Sequence, residues 1–434
     1  METLLSLAVA LIAGLMLSRV AKIIKLPAVT AYLVAGVLLG PYCLGAVGVP
    51  GLGFNSMNQL KDLTIISDVA LGFIAFAIGN EFRLSQLKHI GKQATVIGIF
   101  QAVVATVCVD IALIAVHLIV PNQFPIESAI ILGAVASATA PAATLMVVRQ
   151  YKAKGPVTDT LLPVVAIDDA VGLVLFAISF GIAKALLLGE VDLVSIIVEP
   201  IIEVVLSVIL GALMGSLITF FERFFHSKSK RLSMSVAFVL LTVGLSKLTF
   251  SIGTVRIAFS PLLTCMMLGT VFCNICDFSE ELMDRLDRWT APLFILFFVL
   301  SGAQFEFSMF GNVLIVLVGI VYILFRSLGK YFGASVSAIM VKSPPTVRKH
   351  LGITLLPQAG VALGMALKAK ELSAYGTAAG TVGLIVANIA LFSVLIYELI
   401  GPYLTKVALS KAGEIDPEGK ISARGKKIKE HEHG

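Results

Sequence analysis

Residues 164–176 read VVAIDDAVGLVLF, an apolar run interrupted by two adjacent carboxylates, Asp168 and Asp169. The same character continues outward. Between 157 and 186 the only other charges are Asp159 near the start and Lys184 near the end. About 30 residues at a helical rise of 1.5 Å are more than long enough to cross the hydrocarbon of a bilayer, so the pair is placed where water is scarce. The rest of the chain agrees with a membrane reading: of 434 residues, 58% are hydrophobic and 14% charged, and the mean hydropathy is +0.97. Thirty-seven glycines against one tryptophan suit helices lying closely against one another within lipid.

Apolar windows of spanning length recur at about 3–21, 28–46, 62–80, 93–119, 127–148, 157–186, 193–222, 232–250, 256–275, 289–304, 312–341, 349–369 and 375–405. The expected fold is an all-α polytopic membrane protein of about 13 transmembrane helices. The opening METLLSLAVALIAGLMLSRV has no small-residue cleavage site before a polar start, so it reads as the first span. Basic residues orient the spans, because short cytoplasmic loops retain Lys and Arg. With the C-terminus inside, 25 basic residues fall on the cytoplasmic side and six on the other, which predicts an N-out, C-in chain. The five cysteines show no zinc-ligand spacing and read as buried thiols.

Two basic residues remain, Arg326 and Lys330, both inside the span at 312–341 and on one helix face. A charge at such a position is expensive enough to be a functional candidate, and an opposite charge lowers its cost. Asp168 and Lys330 each lie about 16 Å from the cytoplasmic ends of their helices, so they match in depth.

Two other spans carry sequences that a continuous helix disfavours. AIILGAVASATAPAATLMVV (129–148) has Ser137, Thr139 and Pro141 at its middle, and LGITLLPQAGVALGMALK (351–368) has Pro357, Gln358 and Gly360 at a similar depth. Proline removes a backbone donor, and groups freed within a membrane must be satisfied by protein or by a wet cavity. Taken singly, either is also compatible with a simple kink. Counted as spans five and twelve, however, they occupy equivalent places in two six-helix halves, about 1–186 and 232–405, joined by a linking helix at about 193–222. One helix between the halves makes the repeat inverted, and paired breaks point to a transport site with crossed discontinuous helices. Residues 1–405 then form one transmembrane domain, and 406–434 a short polar cytoplasmic tail, disordered or lying on the membrane surface.

These strings resemble the monovalent cation/proton antiporter superfamily, the sodium/proton exchanger fold. KLPAVTAYLVAGVLLGPYCLG (25–45) and ALGFIAFAIGNEF (70–82) are similar to its early helices, with Asn80 where leucine is more usual. AIDDAVGLVLF (166–176) resembles the ion-binding motif of its two-aspartate members; SATAPAAT and LPQAG fall where its unwound helices cross; FRSLGKYFGA (325–334) resembles the segment whose lysine pairs with the first aspartate. The resemblance implies a homodimer working by elevator-like alternating access. It also implies Asp169 as principal cation ligand and proton acceptor, Asp168 as the partner of Lys330, and Thr139 as a further cation ligand.

Carboxylate, hydroxyl and carbonyl oxygens can replace the hydration shell of a small hard cation, and the same carboxylates take up protons when it leaves. Competition for Asp169 and Asp168 thus couples Na+ or Li+ to H+. Potassium/proton exchange on the same fold is the alternative for the cation. A sodium-coupled organic-anion symporter is the alternative from another class. No nucleophile and base converge on the aspartates, so an enzyme is not expected, nor a cofactor or nucleic-acid partner. The expected location is the cytoplasmic membrane. Arg326 reads as a structural ion pair or core support, because a guanidinium is a poor proton carrier. Asp110 and Glu203 are intramembrane acids without a motif; Asp68, Glu81 and Glu127 lie near span ends, and His117 near the outer end of its helix.

Overall fold

A computed structural model describes residues 2–23, 28–49, 51–80, 82–140, 144, 147–148, 151–189, 199–252, 255–305, 311 and 313–415, without the side chains of 2, 22, 84–90, 162, 166, 199–200, 251–252 and 255–257. The first half contains α1 (Glu2–Ile23), α2 (Ala28–Leu39), the short α3 (Met57–Asp62), α4 (Thr64–Asn80), α5 (Leu84–Ile119), α6 (Ile126–Ser137) and α7 (Pro156–Leu188). The chain continues through α8 (Glu199–Glu222), α9 (Lys228–Ser246), α10 (Pro261–Ile275), α11 (Ser279–Ala303), α12 (Val313–Met340), α13 (Pro345–Thr354), α14 (Gly360–Lys370) and α15 (Thr377–Lys411). Among the described residues nine helices are long and apolar enough to cross a membrane; α4, α6 and α10 are shorter apolar helices.

Each of the thirteen apolar windows contains helix, but several boundaries differ from expectation. The window at 232–250 stops early, and that at 256–275 starts late, because Phe250–Ile252 and Val255–Ile257 pair as a small antiparallel ribbon, β1 and β2. Aromatic and β-branched residues around a glycine favour a pleated ribbon over a helix. Ser260 then restarts the helix: its hydroxyl accepts from the Leu263 N–H, and Pro261 occupies the first turn. Helix α11 begins ten residues before the apolar window at 289. Its first turns are amphipathic, burying Leu282, Leu286 and Thr290 while Arg288 stays exposed.

The helices form two bundles. One holds α1, α2, α4, α8, α9, α10 and α11; the other holds α5, α6, α7, α12, α13, α14 and α15. Small residues set the close approaches in the first bundle. A Cβ on Gly36 of α2 would lie 2.0 Å from the Val299 carbonyl of α11, and one on Gly302 of α11 would lie 2.2 Å from the Leu33 carbonyl of α2. Backbone contact at this range is how helices associate in lipid, where apolar burial supplies little drive. Between the two bundles lies a cavity of about 690 Å³, whose walls include Asp68 of α4, Glu203 of α8, Phe176 of α7 and Gly364 of α14.

Candidate functional site

The second bundle is organised around two interruptions. Helix α6 stops at Ser137, and Ala138 turns to extended backbone (φ −66°, ψ 140°). Helix α13 stops at Thr354 and α14 starts at Gly360. The two stretches touch directly: the Ala140 N–H donates to the Pro357 carbonyl at 2.8 Å, and Thr144 Oγ1 donates to the Thr354 carbonyl at 3.3 Å. Pro141 lies outside the described residues. Pro357 and Gly360 flank the second interruption, with Gln358 fully buried between them.

A helix that stops inside a membrane leaves its last carbonyls without partners, and here side chains from elsewhere supply the donors. Gln358 Nε2 donates to Val135 O at 2.9 Å. Arg326 Nε donates to Ala136 O at 3.0 Å and its Nη2 to Ala138 O at 2.7 Å, while Nη1 reaches across to Leu356 O at 2.7 Å. Lys330 Nζ donates to Ser137 O. Of the two alternatives for Arg326, its hydrogen bonds are those of a core support that clamps both interruptions together. Its guanidinium also stacks 4.4 Å from the ring centroid of Tyr397. Cationic donors additionally suit the negative end of the α6 dipole.

The aspartates approach the same point from the middle of α7. Asp168, Asp169 and Lys330 are all fully buried. Lys330 Nζ lies 2.6 Å from Asp168 Oδ2 and 2.9 Å from Thr139 Oγ1. The Thr139 hydroxyl itself donates to Asp168 Oδ2. Lys330, Asp168 and Thr139, matched only by depth and resemblance in the sequence, therefore form one closed triangle beneath the end of α6. Asp169 stands apart from it. Among the described residues neither of its carboxylate oxygens makes a hydrogen bond, and Asp168 Oδ1 is likewise unused. Three buried carboxylate oxygens in one place are the donor type a hard monovalent cation takes, and an unpaired buried carboxylate carries a high electrostatic cost.

With this geometry in view, comparison with known proteins is specific. The profile described as sodium/hydrogen exchanger, transmembrane, matches residues 7–406. The chain belongs to the sodium/hydrogen exchanger family. Two structures of the sodium proton antiporter MjNhaP1 from Methanocaldococcus jannaschii share the exchanger fold. One, at pH 8, has a TM-score of 0.72 and 19% identity, covering 94% of this chain and 100% of that one. The other, from an electron-microscopy map, has a TM-score of 0.70 and 16% identity, covering 95% and 98%. No curated protein matches the chain significantly.

Other ionisable residues of this family member fall away from the triangle. Asp110 of α5 presses against Gly133 of α6, one oxygen lying 1.8 Å from where a Cβ would sit. Asp68 pairs with Lys247 at the wall of the cavity, which Glu203 also lines. Glu127 is in the first turn of α6. His117 holds the Phe124 carbonyl at 2.7 Å, bracing the turn after α5. Glu81 lies outside the described residues. Sequence reasoning passed over Glu398 of α15, a fully buried carboxylate; the signal was present, a lone acid within ANIALFSVLIYELIGP.

Proposed function

We propose that this exchanger-family protein is a secondary active antiporter that moves Na+ or Li+ in exchange for H+. The observation that carries the reading is Asp169: a fully buried carboxylate with two unused oxygens beside the Lys330–Asp168 pair, at the meeting of two interrupted helices. Asp169 is the principal cation ligand and proton acceptor, with Asp168 Oδ1, Thr139 and nearby backbone carbonyls completing the shell. Cation and proton compete for the same oxygens, so one leaves as the other arrives. When a cation draws Asp168 away from Lys330, the lysine either keeps its proton, giving one proton per cation, or releases it, giving two.

Alternating access follows if the bundle carrying the triangle moves relative to the other bundle, opening and closing the cavity between them. The protein works as a homodimer in the cytoplasmic membrane, N-terminus outside and C-terminus inside. The test is cation-driven proton movement in proteoliposomes with sodium, lithium and potassium, for the native chain and Asp169→Asn. The expected result is a sodium or lithium response that the substitution abolishes. A response to potassium alone transfers the substrate to potassium, and no proton movement with any cation rejects the antiporter.

A further inference from the structure

Glu398 lies on α15, outside the triangle. Its side chain is 1% exposed, and neither carboxylate oxygen has a hydrogen-bond partner among the described residues. Pro402, one turn on, has no N–H to give to the Glu398 carbonyl. Gly401 and Thr405 continue the same face of the helix toward its C-terminal end. Gly401 is pressed on Pro357 of the second interruption, where a Cβ would come within 2.9 Å of the proline ring. Thr405 is fully buried with its hydroxyl also unpartnered.

The charged groups on the neighbouring helices are engaged elsewhere. On α12, Arg326 holds carbonyls and Lys330 holds Asp168. On α13, Arg348 holds the Ser343 carbonyl. On α14, Lys368 pairs with Glu371. On α7, Asp168 belongs to the triangle and Asp169 lies next to it in sequence, and Glu127 is at the far end of α6. An ionised carboxylate with neither cation nor donor is prohibitively costly in such a place, so the group is the neutral acid.

We propose that Glu398 is a second, exchangeable proton-binding site, separate from the aspartate pair. The acid O–H bond breaks when movement of the 355–359 stretch past Gly401 admits water, the proton passes to that water, and the carboxylate remains until it is reprotonated. The inference concerns proton binding and stands whichever cation is carried.

The test is infrared difference spectroscopy of the full-length protein in lipid during a pH titration. In the Asp168→Asn, Asp169→Asn double variant, a carboxylic-acid carbonyl band that titrates with pH is expected to persist. Adding Glu398→Gln is expected to remove one component of it, while Glu398→Asp, which retains the acid, keeps that component at a shifted frequency. A titrating signal that is identical with and without Glu398→Gln in the double-variant background overturns the proposal. The readout does not require transport, so failure of the antiporter reading remains separable from failure of this one.

Discussion

Lys330 has three N–H bonds and directs them to Asp168, Thr139 and the Ser137 carbonyl, which leaves none unused. Its removal therefore strands a buried carboxylate and a helix-end carbonyl together. Lys330→Met is expected to destabilise the protein by about 3–5 kcal/mol, the usual result of breaking one side of a buried pair. Adding Asp168→Asn should restore much of that loss, because the remaining partner is then neutral. Thermal unfolding in detergent checks both, and equal stability of the single variant and the native chain would contradict the arrangement. At this scale the sequence was informative where two charges had to compensate: Lys330 and Asp168 matched in depth before any contact was known. Glu398, a lone acid in an apolar run, has no opposite charge to match, so the sequence marks its position while its burial and its neighbours show its environment.

Interrupted helices pose a problem of donors and acceptors, and Arg326 resolves most of it by placing three nitrogens on three carbonyls from both interruptions. Lysine keeps the charge but not the planar fork, so Arg326→Lys is not conservative here. Each lost charged hydrogen bond is worth about 1.5–3 kcal/mol. The variant should melt earlier and exchange amide hydrogens faster at 138–140 and 355–359, with the centre of α5 unchanged. Uniformly faster exchange along the chain would instead indicate general loosening. Pro357 and Gly360 made the second interruption legible, because proline withdraws a donor and glycine follows. The ribbon at 250–257 was not legible, since short apolar stretches of Phe, Ile and Val read equally well as a helix end. The early start of α11 was hidden for a related reason: an apolar window ignores an amphipathic turn lying at a membrane surface.

Across the whole molecule, the membrane class follows from composition, but the sorting of helices into two bundles depends on contacts between residues hundreds of positions apart, such as Ala140 with Pro357. The orientation proposed from basic residues is testable on the intact chain: single cysteines at Lys61 and Lys342, in a cysteine-free background, should react with an impermeant thiol reagent from opposite sides of the vesicle. The C-terminal junction provides a further long-range tie. After α15 the chain turns back, and the Glu414 carboxylate accepts from the Val157 N–H at 2.6 Å, the Thr158 N–H at 2.8 Å and the Thr158 hydroxyl at 2.7 Å. These are the unpaired donors of the first turn of α7, the helix that carries both aspartates, and a carboxylate also suits its positive end. Tyr397, lower on α15, supports Arg326. One helix and its extension thus brace the site at the interruptions and at the base of α7. Glu414→Ala should destabilise the protein by about 0.5–2 kcal/mol, the range for a lost helix cap, and accelerate amide exchange at Val157 and Thr158. Glu414→Gln, which retains an acceptor, should recover part of the protection. Unchanged exchange at those two amides in Glu414→Ala would show that α7 is anchored by its membrane contacts alone.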